Sequence, residues 1–237
     1  MLIFCEFAQF VDGQMEEQHN YNYVEKGDGS VLQEEKKRKD ILLDTTMRVV
    51  ADVGLPAFAM KQVTQAAKTS DNLIYCHYGT RENLLLQCYL HVDGLIYEMF
   101  EKENFQETKS PEKFCENMHK LWLRYFRFMV KNDYKTLYYY EYRESKSFAA
   151  MQDKIEKRIP NCVETLTKDF GVHSEGSEIS SEYFWMYMLD LSGVFAKKVI
   201  RGELKKNKDT YEMIWRLLWN GVSFPLMKGK LDAETVK

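Results

Sequence analysis

The stretch from Lys68 to Arg81 is dense in groups that bond to a polyanion. Lys68, Thr69, Ser70, Asp71 and Asn72 are consecutive, and Tyr75, His77 and Arg81 follow within a few turns of helix. An asparagine amide can pair bidentately with an adenine edge, and Thr or Ser hydroxyls bond to bases or phosphates. A phenol and an imidazole N–H can donate to phosphate oxygens. Arg81 stands at a helix start, where backbone amides and a cation together suit an anion. Upstream, Lys36, Lys37, Arg38 and Lys39 form a basic run, of which Lys37 is assigned to the interface. Taken singly, these residues have plainer readings. A lysine run is usually a solvated helix start, a single histidine is usually a surface or satisfied core residue, and Tyr78 is expected to be mainly packing. The joint spacing favours nucleic-acid recognition.

Other chemistry finds no support. His19, His77, His91, His119 and His173 are not arranged as a metal motif, and no phosphate loop or nucleophile elbow is present. Five cysteines (Cys5, Cys76, Cys88, Cys115 and Cys162) show no metal-ligand spacing. Their odd number does not suit a disulfide framework. The expectation is a reduced, cytoplasmic protein that is not an enzyme, with no catalytic residue, no cofactor and no metal. The apolar run at the start is broken by Glu6 and lacks a basic leader, so it does not read as a signal peptide. Tyr183 to Ile200 contains Asp190, Lys197 and Lys198, so it reads as a buried helix and not a membrane span.

The elements that must position these groups are helical throughout. Only 4 Pro and 12 Gly occur in 237 residues, which leaves few obligate breaks. Residues 1–33 are polar and aperiodic and are expected to be a flexible N-terminal extension. Lys37 to Val53 repeats apolar residues at helical spacing (Ile41, Leu42, Thr45, Val49, Val50) and ends at Gly54. A short helix is predicted over Ala59 to Ala67. Lys68-Thr69 turns the chain, and Ser70 caps a third helix over Asp71 to His77. Thr80 caps a long helix from Arg81 to about Lys102. Further helices are predicted at Pro111 to Lys131, Tyr134 to Phe148, Met151 to Phe170, Ser180 to Arg201 and Asp209 to Lys228. Three short helices with tight turns at Gly54 and Lys68 have the geometry of a helix-turn-helix with a bracing helix in front. Net charge is −3 overall, yet Lys and Arg outnumber Asp and Glu 8 to 5 over residues 36–91. That polarity fits a DNA-facing module on an acidic body.

The stretch from Gly54 to Leu84 resembles the tetracycline-repressor (TetR) family. The matching positions are Gly54, Val63, Ala67, Ser70, Tyr75, His77, Tyr78, Arg81 and Leu84, in register and without a gap. Tyr78 and Arg81 stand for the family's phenylalanine and lysine. Four positions depart from the pattern. Ala59 replaces a threonine, Thr64 a small alanine, Lys68 the turn glycine and Asn72 a common glycine. Lys68 is therefore expected to bear a positive φ.

The resemblance implies an all-α protein. An N-terminal three-helix helix-turn-helix DNA-binding domain (34–91) is followed by a larger helical ligand-binding and dimerisation domain (92–237). Its partners would be a double-stranded DNA operator, a second copy of the chain as a homodimer, and an apolar or aromatic small-molecule effector, with no membrane. DNA-binding residues are expected at Lys37, Lys68, Thr69, Ser70, Asp71, Asn72, Tyr75, His77 and Arg81. The last two helices would form the dimer surface, with Ser192-Gly193, Ala196 and Gly221 permitting close approach and Trp215, Leu218 and Trp219 supplying apolar area. A helix-turn-helix protein acting through protein contacts and not operator DNA is the alternative.

Overall fold

The computed structural model describes residues 29–103, 111–169, 173–174, 177–178 and 180–235. Its elements in chain order are α1 (Gly29–Val53), α2 (Met60–Ala67), α3 (Asp71–Tyr78), α4 (Arg81–Glu101), α5 (Pro111–Lys131), α6 (Asp133–Arg143), α7 (Lys146–Met151), α8 (Asn161–Asp169), β1 (His173–Ser174), β2 (Ser177–Glu178), α9 (Ser181–Ile200) and α10 (Lys208–Thr235). Short 3₁₀ turns lie at Leu55–Ala57 and Gln152–Lys154. The fold is all-helical but for the two-residue antiparallel pairing of β1 with β2. The described residues fall into two compact units, one up to Tyr89 and one from Leu90 onward, with α4 running through the boundary.

The first unit is built on Leu42 and Val50 of α1, Val63 of α2, Ile74 and Tyr78 of α3, and Leu84 of α4, all buried. The turns between these helices are set by single residues. Gly54 takes φ 82°, ψ 152°, a region open to glycine alone, and its N–H donates to the Val50 carbonyl at 2.8 Å. Gly79 takes φ 69° after α3. The Thr80 hydroxyl accepts from the Asn83 N–H at 3.1 Å and so starts α4.

In the second unit most of the aromatic side chains of α5 and α6, and Phe184 of α9, are core. Trp122, Tyr125, Phe126, Tyr138, Tyr139 and Phe184 are at most 1% exposed. The polar tips of Trp122, Tyr125, Tyr139 and Tyr140 are satisfied internally, as burial requires. Trp122 Nε1 donates to Ser192 Oγ at 2.9 Å and Tyr139 donates to Asp93 at 2.9 Å. Tyr140 donates to the Leu189 carbonyl at 2.7 Å, which leaves its oxygen to accept from the Tyr125 hydroxyl at 3.0 Å.

Four expectations are corrected. First, α1 starts at Gly29, so residues 29–33 are helix and not extension; residues 1–28 lie outside the described residues. Ion pairs Arg38–Glu34 (3.8 Å) and Lys39–Glu35 (3.0 Å) span its early turns. Second, the helix expected over Tyr134 to Phe148 stops at Arg143, and Ser145 caps the separate α7 by accepting from the Phe148 N–H at 3.1 Å. Third, the helix expected over Met151 to Phe170 is interrupted at residues 155–160. Pro160 forces the residue before it out of the helical region, and its carbonyl then accepts the first bonds of α8, from Val163 (2.9 Å) and Glu164 (3.2 Å). Fourth, the small residues of α9 serve packing within the chain. Ser192, Gly193 and Ala196 are buried, and a Cβ on Gly193 would sit 2.1 Å from Cζ of Tyr140. Trp215 and Leu218 are buried in the same unit.

Candidate nucleic-acid interface

α3 presents two faces with different work. Ile74 (0% exposed) and Tyr78 (7%) anchor it. The Tyr78 hydroxyl reaches back to donate to the Lys39 carbonyl at 3.1 Å, tying α3 to α1, and burial raises its pKa far above that of a free phenol. Ser70, Asp71, Asn72 and Tyr75 are all exposed, Tyr75 at 47%, with Asn72 and Tyr75 turned away from the Ile74 side of the helix. A half-exposed aromatic ring on a helix already anchored by Ile74 and Tyr78 is not needed for packing and is suited to a partner. Ser70 also holds the helix start, its Oγ accepting from the Leu73 N–H at 3.4 Å.

Lys68 makes the turn between α2 and α3 at φ 51°, ψ 47°. It is the one non-glycine residue with positive φ among the described residues. The Thr69 N–H closes the turn on the Thr64 carbonyl at 3.0 Å. The Lys68 side chain is exposed and that of Thr69 half-buried. The Ala59 departure is compensated. With no hydroxyl to cap α2, Gln62 Oε1 accepts from the Ala59 N–H at 2.8 Å, half of a reciprocal capping box. Thr64 is buried, and its hydroxyl donates to the Lys61 carbonyl at 3.0 Å.

His77 is half-buried against the start of α1. Burial lowers its pKa, the cations of Lys39 and Arg38 lower it further, and Glu35 opposes them. The ring is therefore neutral near pH 7, with one N–H to donate. Arg81 lays its guanidinium over the buried Phe58 ring, 5.2 Å from the centroid, and contacts Glu82 at 3.5 Å. The interaction fixes a cation at the start of α4. Lys37 is exposed on α1.

The structure thus leaves Ser70, Asp71, Asn72 and Tyr75 exposed along α3, with Lys68 and Thr69 just before them. His77 lies toward α1 and Arg81 against Phe58. Sequence reasoning missed three contributors: Lys61, exposed on α2; Phe58, the platform for Arg81; and Gln62, the substitute cap. The spacing of Gln62, three residues after Ala59, carried the signal for that cap. Sequence reasoning also overvalued the basic run, since Arg38 and Lys39 are paired with Glu34 and Glu35, which lie just outside the window counted. No group of three or more His, Cys, Asp or Glu among the described residues could hold a metal ion, and no described helix is long and apolar enough to cross a membrane.

Residues 42–88 match the family of bacterial regulatory proteins of the tetR type. These residues form a domain of the tetR N-terminal type. The whole fold agrees. The chain is similar to a TetR-family transcription regulator from Marinobacter aquaeolei VT8 with a TM-score of 0.60, at 17% identity over 80% of this chain and 97% of that one. A TetR-family regulator from Haemophilus influenzae RD gives 0.58 at 21% identity, over 78% and 97% of the two chains. A TetR-like regulator from Rhodococcus sp. RHA1 gives 0.58 at 16% identity, over 78% and 96%. No curated protein matches by sequence. The TetR helix-turn-helix maps onto α2 and α3, with α1 as the brace.

Proposed function

We propose that this TetR-type regulator binds a palindromic operator as a homodimer, reads it with α3, and is released by an apolar or aromatic small molecule. The observation that carries the reading is the two-faced α3: Ile74 and Tyr78 lock it in place while Asn72 and Tyr75 stand in water beside Ser70 and Asp71. In this proposal Asn72 reads a base edge. Lys37, Lys68, Thr69, Tyr75, His77 and Arg81 bond the flanking phosphates, and Ser70 and Asp71 order the helix start.

A helix of 8 residues offers few base contacts, so useful affinity needs two copies on successive major grooves. Support for a second copy comes from exposed apolar side chains. Tyr183, Met186 and Val194 line one side of α9, and Met213 and Leu217 stand one turn apart on α10. The effector part rests on the aromatic interior of the second unit, where Trp185 is half-buried edge-on to Phe100 at 4.9 Å. Effector and operator would then be coupled through differential affinity for two states.

Binding is tested by fluorescence anisotropy on the DNA upstream of the protein's own coding sequence and on duplexes selected from a randomised pool, at two salt concentrations. Wild-type protein is expected to bind with salt-sensitive, sequence-specific affinity. Asn72→Ala should lose about 1–3 kcal/mol of discrimination at one base position. Absence of specific binding to both DNA sets overturns the proposal. A ligand that raises thermal stability without changing operator affinity overturns the effector part.

A further inference from the structure

The turn between α9 and α10 is the most cationic stretch of the second unit that the helix-turn-helix does not account for. Over residues 197–209 six cations (Lys197, Lys198, Arg201, Lys205, Lys206 and Lys208) face two carboxylates, Glu203 and Asp209, in a chain whose net charge is −3. Three of the six have local explanations. Lys197 pairs with Glu144 at 2.8 Å and Lys198 with Glu203 at 2.8 Å. Together with Arg201 they sit at the C-terminal end of α9, where the helix dipole favours cations.

Lys205, Lys206 and Lys208 have none. They flank the N-terminal end of α10, the end at which the dipole disfavours positive charge. All three are exposed, and none is in an ion pair among the described residues. The helix end itself is already capped, with Asn207 Oδ1 accepting from the Thr210 N–H at 2.9 Å, so no capping role is left for them. The turn that displays them is well held. Gly202 reverses the chain at φ 76°, and the Glu203 and Leu204 N–H groups both donate to the Lys198 carbonyl, at 2.9 and 3.2 Å. Three cations are thus presented on an ordered turn against the local electrostatic preference. Such a conflict marks a function and not a folding need.

The chemistry of the turn selects the partner. From Arg201 to Asp209 no large apolar side chain is exposed, so nothing could insert into a bilayer or seat a partner helix. The unexplained cations are all lysines, compact charges that meet phosphates without fixed geometry, and the same chain carries a tetR-type domain at residues 42–88 whose own polyanionic partner would be duplex DNA. We infer that the α9–α10 turn, through Lys205, Lys206 and Lys208, is a second, sequence-independent contact for the phosphate backbone of duplex DNA.

The test uses the full chain in an Asn72→Ala/Tyr75→Ala background, which disables the α3 face and keeps the result independent of operator binding. Affinity for a random 30-base-pair duplex is measured by anisotropy across a salt series (a length of about three helical turns). Lys205→Gln/Lys206→Gln/Lys208→Gln should reduce the slope of log affinity against log salt by about 2–3, as three lost phosphate contacts predict. Lys120→Gln/Lys131→Gln/Lys146→Gln, an equal loss of exposed charge elsewhere in the unit, should leave the slope nearly unchanged. Circular dichroism and thermal melts confirm that each variant is folded. An unchanged slope in the first triple variant, or an equal drop in the second, overturns the inference. Competition by polyglutamate as strong as by duplex, or tighter binding to phosphatidylserine vesicles than to DNA, would also overturn it, pointing to an acidic protein or a membrane surface instead.

Discussion

Lys68 bears φ 51° where glycine would be free of strain, and its ammonium is exposed beside the recognition face. Stability and binding should therefore respond oppositely to one substitution. Lys68→Gly should stabilise the fold by roughly 0.5–1 kcal/mol by relieving the left-handed strain. The same change should lower the salt slope of operator binding by about 1, one phosphate contact. Urea denaturation and a salt titration read the two effects. A loss of stability would show that the side chain contributes more than its backbone costs. His77 gives a prediction in pH. Its folded pKa lies below the ordinary 6.5, chiefly through burial and then through Lys39 and Arg38. The unfolded chain therefore binds more protons in the window below pH 6.5, and stability falls as pH drops from there through the folded value. His77→Gln should flatten the fall in melting temperature between pH 7 and pH 5; an unaltered fall would place the acid sensitivity elsewhere. At this scale the sequence was informative where chemistry is local. Ser70 as cap followed from residue type and position, and the positive φ at Lys68 from its standing where the resembling family has a turn glycine. What was illegible is contact across the chain: nothing in the linear order indicates that Arg81 finds Phe58, or that the Tyr78 hydroxyl finds the Lys39 carbonyl.

Between elements, packing depends on single atoms that periodicity does not describe. Gly193 on α9 accommodates the Tyr140 ring of α6 so closely that an added Cβ would meet its Cζ at 2.1 Å. Gly193→Ala should cost about 1–3 kcal/mol by forcing that ring aside. The cost should shrink in a Tyr140→Ala background, where the obstructing ring is gone, and a double-mutant cycle by urea denaturation measures the difference. Equal costs in both backgrounds would show that the two residues are not coupled. The small residues of α9 were read from sequence as an interhelical surface, and that is what they are, but between helices of one chain. Sequence cannot distinguish a close approach within a unit from one between copies. Element boundaries failed for related reasons. Pro160 was visible and should have divided the predicted helix over 151–170. The stop after Arg143 was not visible, since the aromatic run of α6 continues at helical spacing into Phe148 and only the Ser145 cap breaks it.

For the molecule as a whole, net charge and composition indicated a class, while the useful information lay in how charge and apolar surface are distributed. The dimer proposal belongs to this scale. With Ser192, Gly193, Ala196, Trp215 and Leu218 buried within the second unit, a partner copy must be held by what remains exposed: Tyr183, Met186 and Val194 on α9, and Met213 and Leu217 on α10. Leu217 is 53% exposed, so replacing it by glutamate removes no intrachain core and should leave the monomer's melting temperature nearly unchanged. In a dimer the same change forfeits about 1 kcal/mol of apolar burial per copy, since about half of the side chain is already covered, and places a charge in the interface. Leu217→Glu should therefore raise the dimer dissociation constant by at least about thirtyfold. Sedimentation equilibrium measures that shift directly. Operator affinity should fall with it although α3 is untouched, because each recognition helix alone reads only one half-site. Restoring binding by raising protein concentration would separate lost assembly from lost folding. A variant that remains dimeric at the wild-type constant would remove α10 from the interface and leave the α9 stripe of Tyr183, Met186 and Val194 as the surface to test.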